Sequence, residues 1–135
     1  MARIVGLDVG DSRIGVALSD PLGILASPLT IINRTEEQAD IEALADIVRR
    51  NEVGRIIIGL PLSMDGSMSW QAEKTKAFAL ALGGRVEVPV EFRDERLTTV
   101  SAKRLVREAR KTGRGTRYDA AAAAIILQGY LDVAL

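Results

Sequence analysis

The chain has 135 residues, balances 18 basic against 18 acidic side chains, and contains neither histidine nor cysteine. That length fits one domain, 1–135, and an apolar share of 47% belongs to a folded chain and not to a disordered one. The missing residue types exclude disulfides, thiolate nucleophiles, structural zinc and Ser-His-Asp triads, so any catalysis must rest on carboxylates, Lys, Tyr, hydroxyls or an oxygen-bound metal.

The first third reads as strands. Arg3 to Val9 is a β-branched run ending at Gly10, and Gly10-Asp11-Ser12-Arg13 is turn chemistry. Ile14 to Ser19 is a second run, closed by the turn Asp20-Pro21-Leu22-Gly23. Ile24 to Asn33 follows, and Pro28 within it suits an edge strand. Two tight turns predict an antiparallel meander. The period then changes. Thr35 and Gln38 fit a capping box, and Ile41, Leu44, Ile47 and Val48 share one helical face. Arg55 to Leu60 is a continuous apolar run, as in a strand covered on both faces. Pro61 to Ser69 is a loop, and a helix is expected from about Trp70 to Leu82, stopped by Gly83-Gly84. Val86 to Arg93 is strand-like, with Pro89 inside it. Thr98 or Thr99 can cap a helix reaching Lys111, Lys111 to Arg117 is a basic loop, and Asp119 opens a last helix. Hairpins followed by alternation with helices give an α/β fold: a mixed sheet of three antiparallel strands extended by two parallel ones.

No segment suits a membrane or an export signal. The longest low-charge stretch, Ala120 to Leu131, has twelve residues, against roughly 20 for a bilayer span. A cytoplasmic location is the expectation.

The zero net charge is unevenly spread. Between Arg96 and Tyr118 stand eight basic residues, Arg96, Lys103, Arg104, Arg107, Arg110, Lys111, Arg114 and Arg117, against the single acid Glu108. That window is +7 and the remainder of the chain −7. Two solvated helix faces of opposite sign would produce this pattern, and so would a footprint for a polyanion such as nucleic acid. Arg13, in the first turn, is ordinary turn chemistry or a further phosphate contact.

Three places hold acids where acids are costly. Asp8 lies inside an apolar strand, Asp94 and Glu95 end another, and Asp119 precedes five alanines and two isoleucines. A carboxylate in a central strand must be paired, neutralised or metal-bound. Taken singly, Asp119 is explained as a first-turn acid and Asp94 as a turn residue. Taken together, the acids could converge outside the carboxyl ends of the parallel strands, where ligands gather. Three carboxylates without histidine make a hard oxygen site for Mg²⁺ or Mn²⁺, and two such ions suit phosphodiester hydrolysis.

Four ordered motifs carry a resemblance as well. GLDVGDSRIGVALSD (Gly6 to Asp20), GLPLSMDGS (Gly59 to Ser67), DERLTT (Asp94 to Thr99) and YDAAAAAIILQGYLD (Tyr118 to Asp132) resemble the signature segments of the YqgF (RuvX) family, over nearly the whole chain. The resemblance implies an RNase H-like fold with helices on both faces of the sheet, and similarity to RuvC-type resolvases. It implies a nuclease that processes the 5′ end of the 16S rRNA precursor, or alternatively one that resolves branched DNA. It also implies Asp8, Glu95 and Asp119 as the catalytic, metal-binding acids, with Asp94 the less favoured neighbour. Whether one copy or a homodimer acts stays open. Trp70 follows the second motif, and no function is read from it. After Phe92 the only aromatics are Tyr118 and Tyr130, so base stacking is not advertised there.

Two rival readings remain at this point. A nucleic-acid-binding module without catalysis would share the basic segment and need no metal. An actin-like or sugar-kinase-like phosphate site shares Asp8-Val9-Gly10 before a hairpin, but needs two such domains to close over a nucleotide.

Overall fold

The computed structural model describes residues 2–97 and 115–134. The helix expected from Thr98 or Thr99 to Lys111, and with it Lys103, Arg104, Arg107, Arg110, Lys111 and Arg114, lies outside the described residues. Strands β1 (Arg3–Val9), β2 (Arg13–Ser19) and β3 (Ala26–Asn33) form the meander. Helix α1 (Glu37–Arg50) leads to β4 (Val53–Leu60), and α2 (Trp70–Gly83) leads to β5 (Val90–Asp94). A 3-10 turn, Glu95–Leu97, follows, and α3 (Gly115–Ala134) is the last described element. The five strands lie in the order β3-β2-β1-β4-β5. β1 is therefore central, antiparallel to β2 and parallel to β4, which is parallel to β5.

Alternation along β1 separates two cores. Val5, Leu7 and Val9 join Ile41, Leu44 and Ile47 of α1 and Phe78 and Leu82 of α2. On the other face, Ala17 and Ile57 pack with Ala123, Ile126, Leu127 and Leu131 of α3, and Ile4 lies against them. Gly6 permits this approach, because a Cβ there would lie 2.6 Å from Leu127 Cβ. Pro28 does sit on an edge strand. The register slips between Val16 and Ala17, opposite Thr30 and Pro28, so the proline falls beside a bulge.

Several expected boundaries move. The capping box does not form: Glu36 is the N-cap and makes no side-chain cap bond. Asp40 acts instead, from within the first turn, accepting from the Thr35 N–H at 3.1 Å. β4 begins two residues before Arg55 and α2 runs to Gly83. β5 begins at Val90 and not at Val86. The chain leaves α2 through hydrogen bonds from Arg85 and Val86 N–H to the Leu82 carbonyl, and Pro89 offers only its carbonyl, to Ile56 N–H at 2.9 Å. Val86 and Val88 still pack on the core. α3 begins at Gly115, so Arg117 is helical and not in a loop, and Asp119 lies one turn inside the helix.

Candidate active site

β1 carries Ile4, Gly6 and Asp8 on the face that α3 covers. Asp8 is the last of these, and its cross-strand partner on β2 is Gly15. On the other side, Leu7 pairs with Ile58 of β4, so Gly59 is the next residue alongside. Asp8 is thus flanked by two glycines, neither of which brings a Cβ against it.

Gly59 has a second role. A Cβ built on it would lie 2.7 Å from Glu95 Oε1 and 2.5 Å from Ile126 Cδ1. Glu95 follows β5, which is separated from β1 by β4. Its side chain crosses β4 at a residue that has none. Asp8 and Glu95 consequently line the same cavity, of about 370 Å³, with Val9, Gly10, Asp11, Ser12, Arg13, Pro61 and Gln71. A larger cavity of about 720 Å³ between α2 and β5 is lined by residues such as Ala79, Leu80, Val88 and Phe92 and contains no carboxylate. The carboxylates gather on the smaller one.

The cavity wall is braced from behind. Arg34 closes the β1–β2 turn twice: its N–H donates to the Ser12 carbonyl at 2.9 Å, and Nη1 donates to the Gly10 carbonyl at 3.0 Å. Its Nε bonds Asp40 at 3.2 Å, and its guanidinium lies 4.9 Å from the Phe78 ring centroid. Asp40 is 2% exposed. A buried charge is tolerated when it is paired and hydrogen-bonded, as Asp40 is by Arg34 and the Thr35 N–H. Gln71 of α2 donates to the Val9 carbonyl at 3.4 Å, joining the far wall. The sequence signal for Asp40 was its place on the apolar face of α1, which a strict helical count would have flagged. Nothing in the sequence flagged Arg34, Gln71 or the role of Gly59.

Asp94 is engaged elsewhere. Its carboxylate accepts from Arg96 Nη2 at 2.6 Å and Nε at 2.9 Å, and from the Arg96 N–H at 2.8 Å. That bonding raises the affinity of the Arg96 guanidinium for its proton. Arg96 also donates to the Met64 carbonyl at 3.3 Å, tying the loop after β4 to the turn that carries Glu95. In the same loop the Ser67 hydroxyl and N–H, followed by the nearby Arg96 charge, hold Asp65 below the usual carboxylate range.

Among the expected site residues, then, Asp8, Glu95 and Arg13 share the cavity, and Arg96 stands beside it bound to Asp94. The side chains of Arg117 and Asp119 lie outside the described residues, but their backbone belongs to α3. Gly6 lies against Ala123 and Leu127, and Gln128 bonds the Ala26 N–H at the start of β3. α3 therefore runs antiparallel to β1. Residue 119 is one turn before Ala123, toward the end of β1 that holds Asp8. Among the described residues no three acidic, histidine or cysteine side chains could by themselves hold a metal. Three carboxylates line the cavity; Asp11 is paired with Lys74, while Asp8 and Glu95 supply hard oxygen donors of the kind Mg²⁺ and Mn²⁺ take, to which an acid from α3 would add. No described helix is long and apolar enough to cross a membrane.

Comparison with known proteins identifies the family and the fold. Residues 2–133 match the family model for RuvX, described as a Holliday junction resolvase. A Moorella thermoacetica protein named "Putative pre-16S rRNA nuclease" is 53% identical, over 96% of this chain and 94% of its own. A Halothermothrix orenii protein of the same name is 47% identical, over 96% and 94%. Among solved structures, Thermus thermophilus RuvC in complex with a Holliday junction substrate superposes with a TM-score of 0.61 at 14% identity, covering 99% of this chain and 96% of that one. The fowlpox virus resolvase in complex with Holliday junction DNA gives 0.54 at 11%, covering 98% and 99%. These structures share the fold, and the sequence matches extend over both chains almost entirely. The chain belongs to the RuvX (YqgF) family.

Proposed function

We propose that this chain is a metal-dependent nuclease that hydrolyses phosphodiester bonds during maturation of the 5′ end of the 16S rRNA precursor. It works in the cytoplasm as a single domain spanning 1–135. The observation that carries this reading is the meeting of Asp8 and Glu95 on one polar cavity at the carboxyl ends of β1 and β5. The names of the relatives at 47% and 53% identity supply the substrate.

In this reading Asp8, Glu95 and Asp119 hold the metal and orient the reacting phosphate. Bound there, Mg²⁺ or Mn²⁺, as two ions, would supply charge neutralisation and water polarisation for the hydrolysis. Water attacks phosphorus as the bond to the leaving ribose oxygen breaks, and that oxygen departs with a proton. Arg13, on the cavity wall, meets a phosphate oxygen through its guanidinium. Arg96, Lys103, Arg107, Arg110, Lys111, Arg114 and Arg117 hold the flanking backbone of the nucleic acid.

Branched DNA is the second substrate class, favoured by the family model's description as a junction resolvase. One assay separates the two: precursor rRNA, linear RNA and a four-way DNA junction, each incubated with wild type and Asp8→Asn in Mg²⁺. Wild type should cut precursor rRNA at a defined 5′ position. Asp8→Asn should lose cleavage by about a hundred- to a thousandfold, as expected when a group that stabilises the transition state is removed, while keeping its circular dichroism spectrum. Full activity of Asp8→Asn would overturn the assignment, and junction cleavage without RNA cleavage would replace the substrate.

A further inference from the structure

The molecule's single tryptophan stands on the flank of the cavity and is 74% exposed. Burial against solvent is the ordinary fate of an indole, and Trp70 has been denied it although its position is tightly fixed. It is the first residue of α2, immediately after the N-cap Ser69. The Ser69 hydroxyl accepts from the Ala72 N–H at 3.0 Å and donates to the Pro61 carbonyl at 2.6 Å. Pro61 is itself a cavity wall, as is the next residue of the helix, Gln71. Trp70 is thus anchored to the rim through both of its chain neighbours.

A charge relation links it to the same rim. Lys74 Nζ lies 5.2 Å from the Trp70 ring centroid and 3.4 Å from Asp11 Oδ1, and Asp11 lines the cavity. Lys74 thereby offsets the charge of a cavity-lining acid, which would otherwise repel an approaching phosphate. Met64 and Met68, in the loop before α2, are exposed as well, at 84% and 39%. That loop is ordered by bonds from Gly66 N–H to the Ser63 carbonyl and from Ser63 N–H to the Ser67 carbonyl. An exposed aromatic face, carried on an anchored stretch of backbone beside a carboxylate-lined cavity, matches the chemistry of an unpaired nucleobase. Every base presents a π-face, and an indole has few torsions to order when a base stacks on it.

We infer that Trp70 is a stacking platform for an unpaired base of the nucleic acid whose scissile phosphate lies at Asp8 and Glu95. The inference rests on the nucleic-acid reading above and deepens it: the strand leaving the cavity toward α2 is single-stranded. A paired base keeps its π-faces within the duplex stack and has none to offer the ring.

Because Trp70 is the sole tryptophan, its fluorescence reports the contact directly. Wild type, Trp70→Phe and Trp70→Ala are titrated with a ten-nucleotide single-stranded RNA and with a blunt RNA duplex of the same length. EDTA is present so that no cleavage occurs, and affinity is read by anisotropy of a label on the RNA. The single strand should quench the wild-type tryptophan saturably. Trp70→Ala should weaken single-strand binding at least about fivefold, the lower end of what one stacked base contributes. Trp70→Phe should recover most of it, and duplex binding should be the same in all three proteins. Absence of quenching, equal single-strand affinity of Trp70→Ala and wild type, or an equal loss for the duplex would overturn the platform. A parallel gel in Mg²⁺ keeps the two readings apart. Quenching without any cleavage by wild type would overturn the nuclease and support the platform, and cleavage without quenching would do the reverse.

Discussion

Gly59 shows how much the geometry of a candidate site can depend on a missing side chain. Glu95 reaches the cavity only by crossing β4, and it crosses where a Cβ would come within 2.7 Å of its carboxylate. Gly59→Ala is therefore expected to separate activity from stability. The second clash, with Ile126 Cδ1, falls on the end of a flexible side chain, so overpacking should cost only about 1–2 kcal/mol. The displaced Glu95 should cost far more in rate, a hundredfold or greater, since a misplacement of about 1 Å is worth that much. Thermal melting and cleavage rate measured on the same preparation check this; a variant that melts normally and cuts normally would refute the crossing. Gly6 makes an instructive contrast. Its obstructions are Leu127 Cβ at 2.6 Å and the Ala123 carbonyl at 3.0 Å, which belong to the frame of α3 and cannot swing aside. The sequence could present Asp8 and Glu95 as acids in costly places. It could not present Gly59 as the reason they meet, because a glycine at a strand end reads equally well as a terminator, and only the third dimension puts Glu95 over it.

Elements were legible wherever the hydrophobic period and the punctuation agreed. The meander, the central place of β1, the edge place of β3 and the start of α2 at Trp70 all follow from local signals. The failures share one cause, which is that tertiary partners replaced local ones. Thr35 and Gln38 carry the letters of a capping box, yet Asp40 takes the Thr35 N–H because Arg34 holds that carboxylate in place. Val86 and Val88 look like strand, yet the end of α2 captures the chain through Leu82 and leaves them only packing. At the end of α1, Asn51 bonds back to the Ile47 carbonyl, and Glu52 takes a left-handed φ of 53°, a conformation that suits glycine. Glu52→Gly is thus expected to stabilise the protein by about 0.5–1 kcal/mol, the strain relieved less the extra freedom gained by the unfolded chain. A rise in the denaturant midpoint at unchanged m-value would be the sign, and a fall would mean that Glu52 makes a compensating contact.

At the scale of the molecule, a net charge of zero conceals a +7 segment between Arg96 and Tyr118. Arg96 shares its charge with Asp94. Most of the salt dependence of binding should therefore come from the residues beyond it. Converting Arg107, Arg110 and Arg114 together to Glu should weaken RNA binding and reduce the slope of log K against log salt by up to about 3, close to one counterion for each lost phosphate contact. Fluorescence anisotropy at four or five salt concentrations measures it, and an unchanged slope would assign the basic segment to solvent.

Gln128 illustrates a temporal consequence of this architecture. From α3 it accepts from the Ala26 N–H and donates to the Ile24 carbonyl, spanning separations of 102 and 104 residues. The helix that carries it covers Ala17, Ile57 and Ile4, and it is the last described element in the chain. During synthesis the meander and the α1–α2 side can assemble early, while Ala17, Ile57 and Ile4 wait for their partners until α3 has left the ribosome. Contacts of such long range are made late and are the slow part of folding. The same helix brings residue 119 toward the end of β1 that holds Asp8. In the proposed carboxylate set, a nascent chain whose α3 has not yet left the ribosome lacks Asp119, so cleavage is expected only after that helix has docked.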